Sequence, residues 1–190
     1  MAKAKIISST ELRRVFDFIA TRPHAARNRA MVLMTHWAGM RVGEVAALRY
    51  CDVLNKDGTV KDEIHLSAEQ TKGRHSRTVY VNTKLRKELA LYVAAKPPKE
   101  LTQALFYTQK NPKRGFTAST LTQYFGTLYD RVGLEGASSH SGRRSCLTTL
   151  ANKGTAIHIL KVLAGHRNIS TTAEYLYASV TQLKAAAELI

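Results

Sequence analysis

From residue 63 to residue 81 the chain reads Glu63-Ile64-His65-Leu66-Ser67-Ala68-Glu69-Gln70-Thr71-Lys72-Gly73-Arg74-His75-Ser76-Arg77-Thr78-Val79-Tyr80-Val81. Its two ends, Glu63 to Leu66 and Arg77 to Val81, alternate polar and apolar residues, and the polar stretch joining them carries Lys72-Gly73-Arg74. Period-two alternation on both sides of a glycine-bearing turn predicts a β-hairpin with a basic loop. On either side of it the apolar residues return at helical spacing. The hairpin therefore decides the fold class: mainly α with a small antiparallel β-sheet, an α+β chain.

Towards the N-terminus, Ser8-Ser9-Thr10-Glu11 places a serine three residues before a glutamate, the pattern of a capping box, and opens a helix with Leu12, Val15, Phe16 and Ile19 on one face. A second helix follows Pro23, runs through Met31, Val32, Met34 and Trp37, and is stopped by Gly39; a short third one spans Val42 to Leu48. Beyond the hairpin, Leu85, Leu89 and Val93, then Leu121, Phe125 and Leu128, then Leu147 and Leu150, and finally Ile157, Leu160 and Leu163 mark further helices. Val180, Leu183, Ala187 and Ile190 form an apolar stripe on a last short helix, free to pack on its own domain or on a neighbour's.

The 190 residues, 44% of them hydrophobic, suffice for an ordinary core. No internal repeat, low-complexity tract or long linker divides them, and Lys96-Pro97-Pro98-Lys99 reads as a loop, so residues 1–190 are expected to form a single domain. Lys and Arg number 29 against 14 Asp and Glu, a net charge of +15, and residues 1–50, 51–110 and 111–190 are each net positive. The folded body itself is cationic, which points to a polyanionic partner. No apolar run of membrane-spanning length and no signal-peptide pattern is present, so a cytoplasmic protein without a membrane partner is expected. Cys51 and Cys146 are too isolated for a disulfide framework or a zinc site and are expected as core thiols.

Three segments join arginine or histidine to glycine in ways that core packing does not demand. In Gly39-Met40-Arg41-Val42-Gly43-Glu44 an arginine at a helix start faces a carboxylate three residues on; read alone, it is equally a structural Arg–Glu pair. In His140-Ser141-Gly142-Arg143-Arg144 a histidine and an arginine share one face of a first helical turn, where the dipole favours an anion, although a solvated basic helix start has the same pattern. In Leu163-Ala164-Gly165-His166-Arg167-Asn168-Ile169-Ser170-Thr171-Thr172-Ala173-Glu174-Tyr175 a tyrosine follows a glycine-preceded histidine by nine residues. A lone histidine or tyrosine is more often a core residue. Taken together, however, two arginines, two histidines, the lysine-bearing hairpin and a phenol can bind a phosphodiester, neutralise a pentacoordinate transition state and supply a covalent nucleophile without a metal ion.

In this order and spacing the three segments resemble the box I, box II and nucleophile motifs of the tyrosine recombinases, the phage-integrase-like site-specific recombinases. The resemblance spans nearly the whole chain. It implies a catalytic domain with the fold shared by these enzymes and type IB topoisomerases, acting on double-stranded DNA through a 3′-phosphotyrosyl intermediate with neither cofactor nor metal. Arg41 and Arg143 resemble the pair that clamps the non-bridging oxygens of the scissile phosphate, a task suited to a planar, permanently charged fork. Lys72 resembles the general acid for the 5′-hydroxyl leaving group, with Arg74 and Arg77 as its nearest basic competitors. His140 resembles the acid/base helper, and His166 the hydrogen-bond donor to the phosphate. Tyr175 resembles the nucleophile; a phenol ordinarily ionises only near pH 10, so neighbouring cations must assist it. Tyr177, rotated about 200° from Tyr175 on a helix, is read as packing. Arg74, Arg77, Arg144 and Arg167, bordering these positions, are expected to contact DNA.

Two departures from the family pattern stand out. Gly142 occupies a place usually held by leucine, and Arg144 one often held by histidine. The N-terminal core-binding domain that closes around DNA in most members has no room before Arg41, so the chain is expected to be either a catalytic fragment or a natural single-domain enzyme. Met1 and the early capping box favour the second, resembling the small recombinases that invert fimbrial promoter segments. The mechanism implies a homotetramer on paired sites, with a monomer off DNA as the alternative, and the stripe from Val180 to Ile190 either docks on a neighbouring protomer or packs on its own. Competing readings are a type IB-like topoisomerase and a catalytically silent DNA-binding regulator. Integration, excision and inversion are all compatible with these motifs.

Overall fold

A computed structural model describes residues 4–71, 73–108, 114–176 and 187–188. They form two compact units, Met1–Cys146 and Leu147–Ile190. The dividing point falls inside a helix, where no linker composition marks it.

The first unit begins with α1 (Ser9–Ala20). The Ser8 hydroxyl accepts from the Glu11 N–H at 3.2 Å while the Glu11 carboxylate accepts from the Ser8 N–H at 2.9 Å, a reciprocal cap that satisfies two donors the helix cannot. Leu12, Val15 and Ile19, three and four residues apart, bury one face. α2 (Ala25–Trp37) is different: Ala30, Met31, Val32, Leu33 and Met34 are consecutive and all but inaccessible, so this helix is enclosed on every side and is the centre of the unit. Gly39, at φ +60°, ends it in the left-handed conformation that glycine alone adopts without a Cβ penalty.

α3 (Val42–Ala47) follows, then a single turn, α4 (Tyr50–Val53), too short to carry a helical period in the sequence. β1 (Glu63–Leu66) and β2 (Arg77–Tyr80) pair antiparallel, with Ile64 opposite Val79 and Leu66 opposite Arg77. Ile64, Leu66 and Val79 face the core, while His65 Nδ1 and Thr78 Oγ1 hydrogen-bond across the outer face at 3.0 Å. The hairpin is thus where the alternation puts it. Its connection is longer than a tight turn: a 3-10 turn (Ala68–Gln70) leads to Thr71, whose hydroxyl donates to the His75 carbonyl at 2.8 Å and accepts from the His75 N–H at 3.1 Å. This clamps the base of the basic loop.

α5 (Thr83–Ala95), capped by the Asn82 side chain, and α6 (Ala118–Arg131), capped by Thr117, close the unit with Leu85, Leu89, Leu121, Phe125 and Leu128 buried. Stacked Tyr92 and Phe106 join α5 to the strand-like segment before α6, and Tyr92 donates to the Leu105 carbonyl at 2.6 Å. α7 (Ser141–Asn152) begins in this unit. Its Gly142 lies against α2: a Cβ here would fall on Thr35 Oγ1 and stand 3.0 Å from Thr35 Cβ. Of the two cysteines, Cys146 is buried and Cys51 only half-buried.

In the second unit, α8 (Ile157–Ala164) ends at Gly165, left-handed at φ +59°, and α9 (Ile169–Ala173) packs against it. The helix expected from Val180 to Ile190, like Tyr177, falls outside the described residues apart from Ala187 and Glu188. Among the described residues no helix is long and apolar enough to cross a membrane.

Because Thr35 is fully buried and its hydroxyl is committed to the Val32 carbonyl, Gly142→Leu should destabilise the protein by about 1–3 kcal/mol, the usual cost of overpacking. Urea denaturation checks this; an unchanged midpoint contradicts the close approach of α7 to α2, and Thr35→Ala in the same chain should restore part of the loss.

Candidate active site

The first unit brings its charged residues together around one carboxylate. Glu44, in the first turn of α3, has a side chain only 1% exposed. Its Oε2 accepts from the Arg41 N–H at 2.8 Å and from Arg77 Nη2 at 2.6 Å; its Oε1 accepts from Arg41 Nη1 at 2.9 Å and Arg77 Nε at 3.0 Å. Arg77 therefore grips the carboxylate with two parallel N–H groups, the strongest geometry open to this pair. Burial pushes the Glu44 pKa up, but the hydrogen bonds and charges of Arg77 and Arg41 outweigh it and hold the carboxyl below its ordinary range. Two guanidinium groups against one carboxylate leave a net positive charge, and Arg41, with 27% of its side chain exposed against 8% for Arg77, is the one that offers it to solvent.

Arg143 reaches the same loop from α7. Its Nη1 donates to the Gly39 carbonyl at 2.6 Å, and the residue is 5% exposed. The left-handed turn at Gly39 aims that carbonyl, and a Cβ on Gly39 would meet Cys146 Sγ at 3.4 Å. The two arginines that the sequence places 102 positions apart are thus both tied to the segment from Gly39 to Arg41. Burial pushes the nearby Cys146 thiol up to about 11, which keeps it protonated near neutral pH. His140 precedes α7, exposed, with its carbonyl accepting from the Arg144 N–H at 2.9 Å. Lys72 lies outside the described residues.

The second unit contains the other half of the expected set. Gly165 turns the chain out of α8, and the His166 N–H returns to the Lys161 carbonyl at 3.1 Å. His166 Nδ1 hydrogen-bonds Thr172 Oγ1 at 3.0 Å, and Thr172 is itself buried. The His166 and Tyr175 rings lie nearly parallel, 20° apart, with centroids separated by 5.8 Å. The turn through α9 places the nine-residue spacing of these two rings side by side, with Tyr175 half-exposed.

Of the arginines expected on DNA, Arg74 and Arg167 are exposed and Arg144 is half-buried, whereas Arg77 spends its guanidinium on Glu44. Sequence reading placed Glu44 only as a partner of Arg41; its hold on Arg77 joins residues 33 positions apart and leaves no local signal. It also passed over His36, in the last turn of α2, whose Nδ1 is buried without a partner among the described residues and whose pKa burial lowers to about 4. Among the described residues there is no cluster of three or more His, Cys, Asp or Glu that could hold a metal ion.

The sequence profile described as the phage integrase family matches residues 5–182. The chain belongs to the phage integrase family. It is 31% identical to a putative integrase/recombinase of Sinorhizobium fredii over 178 residues, covering 91% of this chain and 40% of that protein. It is 27% identical to the tyrosine recombinase XerC of Lactobacillus leichmannii over 170 residues, 86% of this chain and 55% of that one. Its fold matches the crystal structure of a XerA recombinase with a TM-score of 0.75 at 20% identity, over 100% of this chain and 66% of that one. The chain spans about half the length of the curated relatives it matches. The phage integrase fold, mainly helical with one small antiparallel sheet, is the one its hairpin and helices announce.

Glu44→Gln keeps the shape of the site but withdraws the negative charge from a guanidinium that is 8% exposed. A loss of about 3–5 kcal/mol in folding free energy is expected, as for one broken partner of a buried pair, and chemical denaturation measures it. Acid should act on the same region. His36 takes up its proton near pH 6.5 in the unfolded chain but only near 4 when folded, so the unfolded state binds more protons in that window and stability falls as pH drops through it. The depressed Glu44 continues the fall below the ordinary carboxylate range. His36→Phe should flatten the decline from about pH 6.5 to 4 and leave the lower limb, as read from urea midpoints against pH.

Proposed function

We propose that this chain is the catalytic part of a site-specific DNA recombinase, which cuts and rejoins strands of double-stranded DNA through a 3′-phosphotyrosyl intermediate. One observation carries the reading: a chain of the phage integrase family holds Arg41 and Arg143 on one loop, and Tyr175 beside His166, as this chemistry requires. Arg41 and Arg143 bind the non-bridging oxygens of the scissile phosphate and neutralise the charge that grows on them. The Tyr175 oxygen attacks phosphorus, its proton passing to His140. As the P–O5′ bond breaks, Lys72 protonates the leaving oxygen, while His166 donates a hydrogen bond to the phosphate.

The energy of the broken phosphodiester stays in the phosphotyrosine bond, so a 5′-hydroxyl can reverse the step without ATP. Guanidinium groups fixed by buried partners do the electrostatic work that a metal ion does elsewhere, and the reaction is proposed to be metal-independent. Exchange between two duplexes needs four such sites, hence a homotetramer on paired sites. The net charge of +15 supports DNA as the partner, and the cytoplasm is the proposed place of action. Arg74, Arg144 and Arg167 supply sequence-independent backbone contacts.

Tyr175→Phe should abolish the covalent adduct trapped on a nicked suicide substrate while leaving DNA binding in place; a persisting adduct overturns the nucleophile. Wild-type cleavage should survive chelation of divalent metals. Log affinity for DNA should fall linearly with log salt, by about 0.9 per phosphate contacted. Strand exchange between paired sites, rather than relaxation of any plasmid, is the expected product.

A further inference from the structure

Arg27, in the first turn of α2, is 3% exposed, and among the described residues its partners are all neutral. Nη1 donates to the Tyr107 carbonyl at 2.8 Å; Nε and Nη2 donate to Asn28 Oδ1 at 3.1 and 2.9 Å; the Tyr107 and Phe116 rings lie 5.6 and 5.3 Å from its guanidinium carbon. A guanidinium has five N–H groups, and these bonds use three of them. Glu44 shows how this fold treats a buried charge when it is only structural: it surrounds it with opposite charge. Among the described residues Arg27 receives no such compensation, and a buried cation left this way is costly unless something else supplies the anion.

Arg27 lines a cavity of about 760 Å³ between the end of α1, the start of α2 and one face of α6, within the size range of small-molecule sites. Three further arginines, Arg22, Arg114 and Arg131, border it, and among the described residues lining it none is acidic. Its wall is aromatic: Phe116 and Tyr124 meet with centroids 6.2 Å apart. Thr120, Tyr124, Thr127 and Arg131 recur at helical spacing and present one face of α6 to the cavity. Burial pushes the Tyr124 phenol up to about 12, so it adds no negative charge near neutral pH. None of the proposed catalytic residues lines this space.

We propose that this cavity binds a nucleotide, with the phosphate among Arg27, Arg22, Arg114 and Arg131 and the base against Phe116 and Tyr124. Arginine forks hold phosphate oxygens two at a time, and an aromatic face accepts any base by stacking. The Thr120 and Thr127 hydroxyls meet the polar edges of base or sugar. The same chemistry has two sources, a free mononucleotide or an unpaired nucleotide of a DNA strand. The inference does not rest on the recombinase reading, because binding here requires no cleavage.

Calorimetric titration of the full chain with adenosine 5′-monophosphate, adenosine, inorganic phosphate, and blunt or single-strand-tailed duplexes tests it. Saturable one-to-one binding of the monophosphate is expected, about tenfold or more tighter than adenosine or phosphate, and weakened by a similar factor in an Arg22→Gln, Arg131→Gln double variant. Those two side chains are exposed, so the fold is retained; Arg27→Met adds the buried position. A preference for tailed over blunt duplex, lost in the same double variant while the free monophosphate does not bind, assigns the site to a DNA strand. Phosphate binding as tightly as the nucleotide, nucleotide binding indifferent to the variants, or no binding of either nucleotide source overturns the proposal. Suicide-substrate cleavage measured on the same variants reports separately on Tyr175.

Discussion

The charge of Glu44 is the constraint around which the first unit is arranged. A carboxylate only 1% exposed is tolerable because four N–H groups converge on it, two from Arg41 and two from Arg77. Meeting that requirement binds α3 to β2, so the hairpin is fixed to the helix that begins at Arg41. Arg77 sits opposite Leu66, at the loop end of the hairpin. The Thr71 clamp on His75 lies at that same end of the hairpin. The carboxylate is thus the anchor that holds Arg41 and Arg77, and its lowered pKa keeps it charged near neutral pH.

A second constraint is steric. Arg143 reaches the Gly39 carbonyl only because α7 comes close to the end of α2, and that approach depends on glycines at 39 and 142. At Gly142 the Thr35 side chain occupies the space a larger residue would need, so α7 meets α2 closely there and Arg143 keeps its bond to Gly39. Charge and packing here have one result: the Arg41 and Arg143 guanidinium groups are each held by a hydrogen bond to an acceptor in the protein, the pre-organisation that the proposed phosphate clamp needs.

Arg27 is the counter-example within the same unit. Its neighbours are a carbonyl, an amide and two rings, and three more arginines gather at the cavity it lines. The contrast with Glu44 separates charge that stabilises the fold from charge kept unneutralised for a ligand.

Local pattern was enough for much of this molecule. The hairpin, the Ser8–Glu11 cap, the stop at Gly39 and the faces of α1, α5 and α6 follow from short-range rules of spacing and sterics that act within a few residues. The motifs around Arg41, Arg143, His166 and Tyr175 could be read the same way. α4 and the 3-10 turn were not legible, being too short to show a period, and the division at Cys146 falls within a continuous helix. Tertiary structure alone decided the partners of the charged side chains. It turned Arg77 from a surface cation into the second arm on Glu44, gave Arg27 no carboxylate among the described residues and buried the His36 ring nitrogen. The reason is physical: helical and strand periods are set by neighbours in sequence, whereas the cost of a charge depends on what surrounds it in space, and those groups come from residues tens of positions away.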